Sequence, residues 1–118
     1  MAAINLVAVL ALGAANCSCN YENWIETVKA TEALAITKPR FIVPKEAVEK
    51  VENKTCAIIT FEIDERGVPI NIKIEESSRS RVVDMAAKYT VEKYRFSVKN
   101  KIEPKKIFAL YFEYPGKY

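Results

Sequence analysis

Two short runs of residues, separated by a tight turn, carry apolar side chains at every second position. In chain order these alternating residues are Ala57, Ile59, Phe61, Ile63, Ile70, Ile72 and Ile74. Alternation with a period of two is typical of half-buried strands. Between the runs, Asp64-Glu65-Arg66-Gly67 has turn chemistry, and its glycine can supply the positive φ that a hairpin loop needs. The sequence therefore predicts an antiparallel hairpin.

A helix and a third strand follow the hairpin. The apolar period changes from two to about 3.6, and one helix face carries Val83, Ala87, Thr90, Val91 and Tyr94. Three serines just before this helix offer oxygens for its exposed amides: Ser77, Ser78 and Ser80. A polar loop leads to the last strand, residues 107–114 (IFALYFEY). We expect Phe61, on the apolar phase of the first strand, and Phe96, just after the helix, to be core aromatics.

These elements define a small α+β domain. A right-handed crossover through the helix places the third strand beside the first. We therefore expect a three-stranded antiparallel sheet in the order second, first, third (2-1-3), with the helices packed on one face. Upstream, Pro39 and Pro44 bracket an extended piece. Residues 45–53 (KEAVEKVEN) are predicted to form a short helix, with one apolar face made of Ala47, Val48 and Val51.

The amino-terminal region is uncharged as far as residue 21. Residues 4–15 (INLVAVLALGAA) form an apolar run that ends in small residues and is about half as long as a membrane span. This pattern predicts a signal peptide, although no basic residue precedes it; a short anchor and a buried helix are the alternatives. The expected organisation is a signal peptide or membrane anchor over 1–19, a linker over 20–38, as a loose helix or a tether, and a domain over 39–118.

The three cysteines bear on export. Cys17 follows Gly13-Ala14-Ala15-Asn16, which faintly resembles the site where bacterial lipoproteins are cleaved and acylated. If Cys17 were acylated, Cys19 and Cys56 would remain as an oxidised pair in an exported protein. We favour the simpler interpretation, in which Cys56 is a small hydrophobe within the first strand.

The composition argues against catalysis and against several classes of ligand. Because the chain has no histidine, the commonest general base and metal ligand is missing. A net charge of +3 with scattered lysines does not indicate nucleic-acid binding. Ser77 and Ser78 are interpreted as helix caps rather than nucleophiles, and Asp84 as an acid favoured by the helix dipole. No catalytic, cofactor-binding or metal-binding residue is predicted.

Several residues match, in type and in spacing, the sequence pattern of one known domain family. They are Val43-Pro44 with Ala47, then Ile59, Phe61, Ile63, Gly67, Ile72, Ile74, Ser77-Ser78, Val83-Asp84, Ala86-Ala87 and Tyr94-Arg95-Phe96. In this pattern, residues 39–114 resemble the carboxy-terminal domain of TonB-type energy transducers. Arg79 stands where that family has a glycine, Val98 where it has a proline, and no glycine precedes the first strand.

The resemblance implies a partner and a compartment. In the family, the domain binds a short segment near the amino terminus of an outer-membrane transporter. A complete transducer also has a membrane helix, in which a histidine couples it to a motor, and a long proline-rich tether. This chain has no histidine and only a short segment before the domain. The expectation is a detached TonB-like domain in the periplasm that is linked to TonB-dependent transport across the cell envelope.

The expected binding site is the edge of the last strand. That strand has no proline and no internal lysine, the residues that usually blunt an edge, so its backbone can receive an extended peptide by β-strand addition. The predicted peptide-binding residues are Ile107, Phe108, Ala109, Leu110, Tyr111, Phe112 and Glu113. One alternative is a non-catalytic structural domain that self-associates as a homodimer through its sheet edge. Another is an enzyme, which the lack of an acid–base constellation disfavours.

Overall fold

The computed structural model has the element order of an α+β protein. It describes residues 19–44, 54–99 and 101–115, so the predicted leader up to residue 18 and the predicted helix 45–53 lie outside the described residues. The described part begins with a 3-10 turn, Tyr21–Asn23. Its α-helices and strands are α1 Ile25–Leu34, β1 Ala35–Thr37, β2 Thr55–Ile63, β3 Pro69–Glu76, α2 Arg81–Lys93, β4 Arg95–Phe96 and β5 Phe108–Tyr114.

The larger sheet has the predicted topology. Its three strands lie in the order β3–β2–β5, and both pairings are antiparallel. Within the sheet, Ile59 lies opposite Ile74 on one side and opposite Leu110 on the other. The order of second, first and third strand, which the crossover rule predicts, is confirmed.

The hairpin turn between β2 and β3 is held by Asp64. Its carboxylate accepts hydrogen bonds from the backbone N–H groups of Arg66 at 2.8 Å and Val68 at 3.0 Å. The bond from Val68, above all, lowers the pKa of the Asp64 carboxyl. Gly67 adopts a φ of +82°, and a Cβ at this position would collide with the carbonyl oxygen of Phe96. Both observations explain why a glycine stands in this turn.

Helices cover both faces of the larger sheet, so the prediction that they pack on one face is wrong. The buried residues of one face come from α2, β2 and β5: Val83, Ala87, Val91, Ala57, Ile59, Phe61, Phe108, Leu110 and Phe112. On the other face, Val28 of α1 packs against Ile58 and Ala109. The physical reason is that residues 56–61 are buried on both phases of β2, as in a strand that is covered on both sides. Residues 20–38 supply the second layer.

A second sheet, of two short strands, joins the ends of the two helices. β1 pairs with β4 in antiparallel fashion, and Ala35 lies opposite Phe96. Beside this pair, the Ser97 N–H donates to the carbonyl of Leu34 at 2.7 Å. The carboxyl end of α1 is therefore attached to the chain that leaves α2.

Phe96 explains why the second helix closes on Tyr94-Arg95-Phe96 rather than on a glycine. Its N–H donates to the carbonyl of Gly67 at 2.9 Å. Its ring lies 5.5 Å from the ring of Phe61 and 5.6 Å from that of Tyr94, centroid to centroid. The triplet thus ends α2, begins β4 and packs the helix end against the hairpin.

The doubled serine ahead of α2 binds an aspartate. The buried carboxylate of Asp84 accepts from the Ser77 hydroxyl, from the Ser78 hydroxyl at 2.6 Å and from the Ser78 N–H at 2.7 Å. Ser80 is the N-cap, and its hydroxyl accepts from the Val83 N–H at 3.3 Å. Ser80 fulfils the predicted capping role, whereas the hydroxyls of Ser77 and Ser78 donate to Asp84 and so fix the junction between β3 and α2.

Removal of this acceptor should destabilise the domain. We expect Asp84→Ala to lower the free energy of unfolding by about 2–4 kcal/mol, because three donors lose a charged acceptor and the Ser78 N–H stays buried. Urea denaturation measures the loss. Asp84→Asn is the matched control, since it keeps one carbonyl acceptor and should lose less. An alanine variant as stable as the parent protein would show that the cluster contributes nothing to stability.

Candidate peptide-binding edge

The predicted site residues fall on two phases of β5. The core-facing phase consists of Phe108, Leu110 and Phe112, whose buried side chains pack in the core shared with α2. Ile107 is half exposed and immediately precedes the strand. The side chains of the core-facing phase therefore hold the sheet to α2.

The other phase of β5 faces α1 and the 3-10 turn. Ala109 is fully buried there, and Tyr111 is partly buried. Glu113, on the same phase, forms an ion pair with Lys54 at 3.4 Å. These residues lie beside residues 20–38, which we call the amino-terminal layer. The sequence pattern did not predict that this layer packs against the sheet.

Ala109 shows which backbone groups of β5 face away from the sheet. Its N–H donates to the hydroxyl oxygen of Thr31 on α1, at 3.2 Å, and not to β2. β5 pairs with β2 in continuous register along its whole length. Because successive N–H groups of a strand alternate in direction, those of Tyr111 and Glu113 point outward with that of Ala109. The direction of these amides, which the sequence alone does not give, is thereby assigned.

Helix α1 occupies the outer side of β5 at Ala109. Thr31 is fully buried, and its hydroxyl donates to the carbonyl of Thr27 at 2.7 Å while it accepts from Ala109. Val28, one turn earlier, is also buried and packs against Ile58 and Ala109. In the free protein a helix side chain therefore stands where a further strand would pair.

An aromatic contact extends this cover toward the end of β5. The ring centroids of Tyr21 and Tyr111 lie 4.4 Å apart. Burial raises the pKa of the Tyr21 hydroxyl, and the nearby carboxylates of Glu32 and Glu113 raise it further. The two rings are tilted by 41° relative to one another, so Tyr21 packs at an angle against Tyr111.

A disulfide attaches the start of the amino-terminal layer to the sheet. Cys19 is bonded to Cys56 of β2, and their Cα atoms lie 5.9 Å apart. The interpretation of Cys56 as only a small strand hydrophobe is therefore wrong, although its side chain is fully buried. The layer that covers β5 is thus attached at one end by this bond and at the other by the pairing of β1 with β4.

The opposite edge of the sheet, β3, differs from β5. In the described part of the chain no strand pairs with the outer side of β3, and its Ile70 and Ile74 are exposed. Asn71 has a φ of +51°, and its side-chain amide donates to Glu62 at 3.1 Å. The pairing of β3 with β2 shifts register near this residue. Such an irregularity disturbs an edge and makes it less suited to receive a strand.

The described residues offer few grounds for other kinds of site. Within residues 19–44, 54–99 and 101–115, no helix is long and apolar enough to cross a membrane, and no cysteine, aspartate and glutamate side chains group as ligands for a metal ion. Comparisons of the chain with protein-family models and with curated proteins found no match. The geometry of β5 and the residue pattern are then the grounds for assigning a function.

Proposed function

We propose that this protein is a periplasmic, TonB-like binding module that receives an extended segment of an outer-membrane transporter by β-strand addition at β5. In this role it takes part in TonB-dependent transport. Support comes from the hairpin, the crossover helix and the third strand, which follow the order that the resemblance implies. The observation that carries the proposal is the outward N–H of Ala109, whose acceptor lies outside the sheet. A backbone carbonyl of an added strand would replace that acceptor.

Strand addition at Ala109 requires α1 to move aside locally, because a peptide carbonyl must take the position of the Thr31 hydroxyl. α1 has ten residues and no side-chain hydrogen bond at its N-cap, and isolated helices of this length are marginal in water. Its buried residues are Val28 and Thr31. Exposing a valine side chain costs about 1.5–3 kcal/mol, which new interstrand hydrogen bonds and side-chain contacts can offset.

Removal of the competing hydroxyl should strengthen binding. Thr31→Val keeps the shape of the side chain and loses the acceptor, so we expect the peptide to bind about 5–10-fold more tightly, the equivalent of one hydrogen bond. Isothermal titration with synthetic peptides from the amino-terminal segments of outer-membrane transporters measures the change. Thr27→Val is the matched control, one turn earlier on the same helix, and should leave the affinity within about twofold.

Proline substitutions on β5 test the same edge from the other side. Ala109→Pro removes an outward donor, so it should weaken binding at least about tenfold while circular dichroism shows a folded domain. Leu110→Pro removes a donor to β2 and should unfold the protein instead. Ile74→Pro is the equivalent proline substitution on the opposite edge strand, β3. If Ile74→Pro abolishes binding and Ala109→Pro does not, then the peptide pairs with β3 and the assignment to β5 is wrong.

A second candidate function is self-association through the edge of β3. It is favoured by the exposed Ile70 and Ile74 and by the lack of a strand outside β3 in the described residues. Sedimentation velocity over a range of protein concentrations separates the two functions, since only self-association makes the free protein dimeric. Ile74→Lys should then return a dimer to monomers.

A further inference from the structure

Helix α2 carries a second apolar stripe on the side that faces away from the sheet. Val82, Met85 and Tyr89 are all exposed and stand at the spacing of one helix face. The extended segment before residue 45 runs beside this stripe and adds Ile42, which is also exposed. Together they line a groove of about 610 Å³. None of the described residues that line it belongs to β5, so the groove is distinct from the candidate peptide-binding edge.

The rim of this groove is cationic. Arg81 and Lys93 stand near opposite ends of α2, and Arg40 lies on the neighbouring segment. The Lys93 ammonium lies 4.2 Å from the centroid of the Tyr89 ring. No carboxylate is among the described lining residues, and Asp84 of the same helix is occupied by Ser77 and Ser78. The groove therefore combines an apolar floor with a rim on which the described charged residues are all cationic.

We infer that this groove docks an amphipathic helix of a partner protein, with acidic residues flanking its apolar face. The groove follows α2 from residue 82 to residue 93, which is roughly 17 Å at 1.5 Å per residue, or about three turns of a partner helix. A concave apolar surface beside a helix suits anchors at positions i, i+3 or i+4, and i+7. The cationic rim selects acidic flanks, because complementary charges favour the correct partner and repel basic ones.

A pair of synthetic peptides tests the inference on the whole protein. One is a 15-residue amphipathic helix with leucines on one face and glutamates around it, and its twin has lysines in place of the glutamates. We expect nuclear magnetic resonance shifts to centre on Val82, Met85 and Tyr89, with the acidic peptide binding at least about tenfold more tightly than the basic one. Met85→Glu should weaken the acidic peptide by a similar factor, whereas Ile74→Glu, an exposed apolar residue of β3, should not.

The rim has its own test. The double variant Arg81→Glu and Lys93→Glu should reverse the preference, so that the lysine peptide binds more tightly than the glutamate peptide. Equal affinity of the two peptides for the parent protein, or shifts that centre away from α2, would overturn the inference.

Other occupants of the groove give different results, each of which also overturns it. Peptide binding that is detected only after Glu46 and Glu49 are replaced would assign the groove to residues 45–53 of the chain itself. Concentration-dependent dimers that Met85→Glu dissolves would assign it to a second copy. Binding to phosphatidylglycerol vesicles that is lost in Met85→Glu, with no response to either peptide, would assign it to an anionic membrane surface.

Discussion

Phe96→Ala is expected to lower the free energy of unfolding by about 3–5 kcal/mol, and Phe61→Ala by a similar amount. Phe61 is 1% exposed and Phe96 is 2% exposed, and their ring centroids lie 5.5 Å apart. Truncation of either ring leaves a cavity where the hairpin, α2 and β4 meet. Guanidinium denaturation followed by circular dichroism measures both losses.

An exposed aromatic residue provides the control for these core variants. Tyr89 is 58% exposed, so Tyr89→Ala should change the free energy of unfolding by less than about 1 kcal/mol. A loss below about 1 kcal/mol for both Phe61→Ala and Phe96→Ala would mean that the two rings are not core residues in solution.

Loss of the disulfide between Cys19 and Cys56 should be comparably severe. The bond joins residues 37 apart in sequence. Closing a loop of that length raises the free energy of the unfolded chain by about 4 kcal/mol, because it removes conformational entropy. We therefore expect the double variant Cys19→Ala and Cys56→Ala to unfold at a much lower denaturant concentration than the oxidised parent protein.

Reduction of the parent protein provides the matched comparison for that variant. A dithiol reductant should bring the unfolding midpoint of the parent protein close to that of the double variant, and it should leave the variant itself unchanged. Mass spectrometry after thiol alkylation reports whether the bond is present in each sample. Identical midpoints for the oxidised and reduced parent protein would contradict a stabilising disulfide.

Two of the elements that the sequence predicts correctly, the hairpin and α2, have a strong local period, because each repeats its apolar residues at a spacing that only one kind of element satisfies. The prediction of β5 depends instead on a short continuous apolar run, residues 107–112. The order of the strands follows because one helix connects the second strand to the third. The buried faces of these elements decide their conformation, so local pattern and tertiary structure agree.

The amino-terminal layer is predicted less well, because the apolar periodicity of its elements is weak. α1 buries only Val28 and Thr31, and a buried threonine does not mark an apolar face. β1 and β4 have three and two residues, which is too short for a period to be visible. One signal was present in the sequence: residues 56–61 are mostly apolar on both phases of β2, as expected of a strand with two covers.

The candidate site could be predicted in part. The sequence identifies β5 as a strand without the usual edge-blunting residues, but it does not give the direction of its amides. That direction depends on the pairing with β2, and the cap at Ala109 comes from Thr31, 78 residues away in sequence. A contact of this separation leaves no local pattern, so the position of α1 beside this amide could not be predicted.

The amide of Ala109 tests the central claim most directly. During titration with a transporter peptide, its nuclear magnetic resonance signal should shift, its hydrogen exchange should stay slow because a peptide carbonyl replaces the Thr31 hydroxyl, and Val28 should lose its contacts with Ile58. If the peptide binds while Ala109 and Val28 keep their signals unchanged and the amides of β3 shift instead, then strand addition at β5 is contradicted.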